Sequence, residues 1–152
     1  MLKKLRQRLK NERGLTLIEL LAVVVILGII AAIAIPSIGG LIDNSKKDAH
    51  VANAKQMISS AKLAVAADES LRPGADATTV SLDELEKGGY IDTLKDPDGD
   101  STEDNGYKRT TSKVTITASG TDKFTYSVTL KGNKRSVTGT SDELKRSAVA
   151  EN

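Results

Sequence analysis

Two sets of carboxylates in this 152-residue sequence stand where their surroundings demand an explanation. Glu19 is the only charge between Leu15 and Ile35, a stretch in which only Thr16 and Gly28 besides it are not clearly hydrophobic. Burying an unpaired carboxylate in a membrane costs about 3 kcal/mol even on permissive insertion scales, so Glu19 calls for a counter-charge from outside its own segment. Asp96, Asp98 and Asp100 alternate, with Glu103 and Asp104 close behind, and oxygen ligands at such spacing suit calcium. The helix-loop-helix calcium pattern is incomplete, because no glutamate stands twelve places on and the flanks do not read as helical. The simpler expectation is a solvated turn whose aspartates bond their own backbone, with a calcium site on Asp96, Asp98 and Asp100 as the alternative. The single histidine, His50, flanks Val51 at the edge of an apolar stripe and is expected at a surface or boundary position rather than as a ligand. With no cysteine, thiol catalysis, cysteine zinc sites and disulfides are excluded. Four aromatics, Tyr90, Tyr107, Phe124 and Tyr126, are too few to wall a large active-site cavity.

Charge is segregated along the chain. Before Gly14, six basic residues face one acid, for +5, and the 138 residues that remain carry 16 basic and 19 acidic groups, or −3. The basic pI therefore belongs to a short N-terminal flank, not to a nucleic-acid-binding surface. Basic residues followed by 21 apolar positions, about 32 Å at roughly 1.5 Å per residue, fit one membrane-spanning helix with its N-terminus in the cytoplasm. A secretory signal peptide is a rival, with Ala32-Ile33-Ala34 as its cleavage site, and so is an uncleaved anchor. Neither rival accounts for Glu19.

The run from Arg13-Gly14-Leu15-Thr16-Leu17-Ile18-Glu19 to Ile35-Pro36 closely resembles the N-terminus of type IV pilins, Gram-positive and competence-type pilins included, and of the pseudopilins of type II secretion. The likeness combines a basic leader, a glycine before the cut, glutamate at the fifth mature position and proline at the twenty-second. It implies cleavage after Gly14 by a prepilin peptidase, methylation of the new amino group on Leu15, and packing of Leu15 to Ile35 in the core of a helical filament. Phenylalanine is usual in the family where this chain has Leu15, and leucine keeps the apolar character of that position. Gly14 gives a protease a peptide bond without a side chain. Glu19 would meet the amino terminus of a neighbouring subunit, since opposite charges attract strongly in an apolar core. Pro36 should bend or interrupt the helix. Gly28 serves either close helix packing or a stretch, up to Pro36, that loosens on assembly. Some secretion pseudopilins also resemble this chain in having a calcium-stabilised acidic loop.

Beyond the apolar run, Val51, Ala54, Ile58, Ala61 and Val65 recur at helical spacing, widened by Met57, Ala64 and Leu71. Lys47, Asp48, Asn53, Lys55, Gln56, Ser60 and Lys62 take the opposite face. Arg72-Pro73-Gly74 should stop the helix, and Ser81-Leu82-Asp83-Glu84 reads as a capping box that starts a short one. Leu82, Leu85, Tyr90 and Ile91 are expected to pack on the stripe. Alternation at Val114, Ile116 and Ala118, and again at Phe124, Tyr126, Val128 and Leu130, predicts two strands, with a third over Arg135 to Thr140. The predicted fold is α+β: a long N-terminal helix, half transmembrane and half amphipathic, packed on a three-stranded antiparallel sheet. Its organisation reads as a leader over 1–14, a transmembrane and filament-core helix over 15–36, and a head over 37–152. The head divides into an amphipathic helix (37–71), a linking loop and short helix (72–106), a sheet (107–140) and a tail (141–152).

An enzyme would need convergent groups, and the chain offers no histidine-based triad, no phosphate-cradling glycine loop and no carboxylate pair on rigid flanks. A structural filament subunit is the better expectation. The resemblance implies as partners further copies of the chain, prepilin peptidase, an assembly platform with minor pilins, and the membrane. The alternative is a monomeric membrane-anchored binding module outside the cytoplasm. Lys108, Arg109, Lys113, Lys131, Lys134 and Arg135 offer a contact for DNA, although charges on strands usually just face solvent.

Overall fold

The computed structural model describes the backbone of residues 2–120 and 123–152 and the side chains of residues 16–120 and 123–152. Two compact units divide the chain, one ending at Ile42 and the other spanning Asp43–Asn152. The first helix, α1, runs Leu2–Ala67 and includes Pro36, so the basic flank is helical and the expected interruption at Pro36 does not occur. Proline forfeits one backbone hydrogen bond, and long runs of Leu, Ile, Val and Ala on either side continue the helix past it. α1 stops before the expected breaker because Asp68 turns extended and caps a 3-10 turn over Glu69–Leu71, its carboxylate accepting from the Ser70 N–H at 2.8 Å.

In the first unit, every Leu, Ile and Val from Leu17 to Ile42 is at least 52% exposed. This part of α1 holds a stretch long and apolar enough to cross a membrane.

In the second unit, α1 lies against an antiparallel sheet, and the expected stripe is the one buried. Ala54, Met57, Ile58, Ala61, Ala64 and Val65 join the core, with Val51 and Leu71 partly buried against it. Ser60, placed by its polarity on the solvent side, is buried as well. The sheet has five strands rather than three: β1 (Thr78–Ser81), β2 (Lys113–Ala118), β3 (Phe124–Lys131), β4 (Arg135–Thr140) and β5 (Val149–Glu151), paired in that order. The three expected strands form its centre. β1 falls in the segment read as a loop, and β5 in the tail, where a 3-10 turn over Arg146–Ala148 precedes it. Thr121 and Asp122, in the connection expected between the first two predicted strands, lie outside the described residues.

Register puts Val114 opposite Val128, Ile116 opposite Tyr126 and Leu130 opposite Val137, so one face of the sheet carries the apolar side chains. Between β1 and β2 sits α2 (Leu82–Lys87), begun by the expected capping box: Ser81 Oγ accepts from the Glu84 N–H at 3.2 Å, and Glu84 accepts from the Ser81 N–H at 2.7 Å. Leu82, Leu85 and Ile91 are buried and Tyr90 partly so.

Candidate functional site

Two places in the molecule gather the residues singled out by their chemistry. The first is the N-terminal part of α1. Glu19, Gly28 and Pro36 all lie on this helix, and Glu19 is exposed. A Cβ added at Gly28 would meet nothing within 4 Å, so close packing inside the chain does not explain this glycine. Gly14 and Leu15 lie outside the residues whose side chains are described.

The second place is a buried polar cluster at the start of the second unit. His50 is fully buried, which corrects the expected surface position. It stands four residues before Ala54, so it extends the buried stripe by one turn, and the imidazole is compact enough to sit among apolar neighbours once its two nitrogens are satisfied. Its Nε2 lies 3.0 Å from Asp98 Oδ2 and 3.5 Å from Asp96 Oδ1, and its Nδ1 lies 2.8 Å from the Tyr107 hydroxyl. Tyr107 is buried as well, and burial pushes its hydroxyl far above the ordinary tyrosine range. Asn53, one turn on from His50, donates to that hydroxyl at 3.0 Å and to the Lys95 carbonyl at 3.1 Å.

The acidic loop splits between two environments. Asp96 is buried: its Oδ1 accepts from the Asp98 N–H at 2.8 Å and its Oδ2 from the Asn133 N–H at 2.6 Å in the β3–β4 turn. Gly132 in that turn admits this approach, since a Cβ there would stand 2.6 Å from Asp96 Oδ2. Burial pushes the Asp98 carboxyl up, but hydrogen bonds with His50 and Lys46 and the charges of Arg135 and Lys46 outweigh it, and its pKa lies below the usual range. Asp100 is exposed and accepts from the Thr102 N–H and hydroxyl at 2.8 and 2.6 Å, the local turn that its type favours.

The structure therefore brings together His50, Asp96 and Asp98 rather than Asp96, Asp98 and Asp100. One ligand atom from each of the three lies within 4.8 Å of the others, a buried triad capable of coordinating a metal ion. Calcium prefers six or more oxygens, and an imidazole nitrogen suits zinc and its neighbours better.

Several of the basic residues considered for DNA are engaged within the chain. Arg109 pairs with Glu86 at 2.8 Å, both being largely buried, and Lys108 Nζ donates to the Glu103 carbonyl. Arg135 is 11% exposed and pairs with Asp43 and Asp98. Lys113, Lys131 and Lys134 remain exposed.

Residues 9–35 match the prokaryotic N-terminal methylation motif. The motif is characteristic of type IV pilin-like and pseudopilin-like proteins, and its match ends with the apolar run, one residue before Pro36. It covers Gly14, Leu15, Glu19 and Gly28 and leaves the whole second unit outside. No curated protein and no solved structure matches the chain. The methylation motif and the long apolar helix that carries it agree with a pilin-like structural role.

Proposed function

We propose that the chain is a structural subunit of a type IV pilus or pseudopilus, cut after Gly14, methylated on Leu15 and polymerised through its N-terminal helix. The observation that carries this reading is the coincidence of the methylation motif with the part of α1 from Leu17 to Ile42, whose large aliphatic side chains are all at least half exposed. So large an apolar surface needs an apolar surrounding. A bilayer supplies it before assembly, when the chain is a single-pass membrane protein with its head outside the cytoplasm. Other subunits supply it afterwards, in a filament at the cell surface.

Prepilin peptidase, an assembly platform and minor pilins are the partners this route requires. Glu19 neutralises the methylated amino group of a neighbouring subunit's Leu15, and the span from Gly28 to Pro36 is where the helix yields on assembly. Surface adhesion, secretion and DNA uptake all use such filaments, and the genes beside this one would sort among them.

Intact mass of the protein from sheared filaments tests the reading. The expected species starts at Leu15 and carries one methyl group. A full-length, monodisperse chain in detergent would instead favour the anchored binding module, and a chain starting at Ile35 would point to ordinary signal peptidase.

A further inference from the structure

Cations of the chain itself already stand against the carboxylates of the buried triad. Asp96 and Asp98 bring two carboxylates to the buried site, where Arg135 and, from the exposed side, Lys46 face them, while Asp43 and Lys47 pair at its exposed margin. Lys47 lies 2.9 Å from Asp43, Lys46 lies 3.2 Å from Asp98 Oδ1, and the Arg135 guanidinium spans both carboxylates, with Nη1 3.2 Å from Asp98 Oδ2 and Nη2 on Asp43. A divalent ion added to this set would leave two uncompensated charges in a buried site. The hydrogen bonds point the same way. The Asp98 carboxylate can only accept, so the His50 N–H on Nε2 faces it, and the Tyr107 hydroxyl, which accepts from the Asn53 amide, is placed to donate to Nδ1. Nε2 is the nitrogen a metal would need bare.

We propose that the chain itself supplies the cation of the His50–Asp96–Asp98 triad, through Arg135 with Lys46. The cluster is then a metal-independent clamp that ties the acidic loop and β4 to α1, and a divalent ion enters only when Arg135 is gone. The ion that enters is a zinc-like one, since one imidazole nitrogen and two carboxylate oxygens suit its four-coordinate preference and give calcium too few oxygens. The clamp lies within one chain and needs no filament.

Thermal melting of the full-length chain in detergent, followed by tyrosine near-UV circular dichroism, tests it in chelator, in millimolar calcium and in micromolar zinc. The wild-type chain is expected to melt at one temperature in all three. Arg135→Gln should melt lower in chelator and recover in zinc, its folded-to-unfolded ratio rising about a hundredfold once free zinc is about 100 times Kd. Adding His50→Ala, which removes the only histidine, should abolish that recovery. Arg135→Lys keeps the charge and should stay insensitive to metal. A wild-type melting temperature that rises with calcium or zinc would overturn the proposal, as would an Arg135→Gln chain that folds and ignores zinc. If Arg135→Gln does not fold in any of the three conditions, the wild-type and Arg135→Lys chains decide: metal stabilisation of either one refutes the clamp, and its absence in both upholds it.

Discussion

The aliphatic residues of the two stretches of α1 on either side of Ile42 meet opposite fates. From Leu17 to Ile42 no large aliphatic side chain is less than 52% exposed, whereas Met57 and Ile58 are at most 2% exposed. The first stretch is apolar all round, so no single face of a sheet could cover it, and its surroundings must come from lipid or other chains. The second gathers most of its large apolar residues in one stripe, which one sheet face covers, and leaves Leu63 outside it at 61% exposed. A protein can thus address two solvents with one helix by changing both the number and the spacing of its large hydrophobic residues.

The sharpest way to break this comparison is to alter the one charge in the first stretch. Glu19→Val removes a carboxylate and eases membrane insertion, so processing at Gly14 should persist. Assembly should fall to few or no filaments, because each neighbouring amino group would be buried without its counter-charge at every added subunit. Immunoblots of membrane and sheared fractions measure both quantities, and a normal yield of sheared filament would leave Glu19 without a role in charge pairing.

Next in size comes a pair of truncations. Ile58→Ala, in the core, should cost about 2–5 kcal/mol of stability, by lost burial plus the cavity left behind. Ile26→Ala, on the exposed stretch, should leave melting of the second unit within about 0.5 kcal/mol of the wild type. Equal losses at the two sites, measured by denaturant unfolding in detergent, would mean that the stretches are not energetically distinct.

Glycines sharpen the contrast on a smaller scale. Gly132→Ala should destabilise by about 1–3 kcal/mol, because the new Cβ would fall 2.6 Å from Asp96 Oδ2 and 2.8 Å from the Arg135 carbonyl. Gly28→Ala meets nothing within 4 Å and should leave melting unchanged. A loss of filaments in that variant with unaltered melting would place Gly28 at a contact between subunits.

The last effect is read in acid and concerns Asp98, whose pKa in the folded chain is held below its ordinary 3.8, against the push of burial, by His50 and Lys46 on α1 and Arg135 on β4. The unfolded chain takes up this proton first on acidification. The stability that Asp98 contributes is therefore complete well above pH 3.8 and is lost as pH falls through the lower folded value. Asp98→Asn should lower stability at neutral pH and flatten this acid limb of the stability profile, as denaturant unfolding at neutral pH and between pH 2 and 5 would measure.

Most of the local structure was legible before any tertiary contact was known. The apolar run, the stripe from Val51 to Val65, the capping box at Ser81 and the three central strands each follow from the spacing of residues near one another in sequence. β1 and β5 were not legible, since four and three residues are too few to display an alternation and their pairing comes from the neighbouring strand.

The buried cluster depended on tertiary structure almost entirely. Alternation alone grouped Asp96, Asp98 and Asp100, yet only the first two turn inward, drawn by the Asn133 N–H, His50 and Arg135, while Asp100 closes a turn of its own. His50 did carry one readable signal, its four-residue spacing from Ala54 on the stripe. Arg135 carried none: a basic residue at the start of a strand usually faces water, and what turns it inward is the pair of carboxylates at Asp43 and Asp98, 92 and 37 residues away in sequence. Periodicity records which side of an element is apolar. Which charges meet beneath it depends on how distant segments pack, because ion pairs are made between neighbours in space.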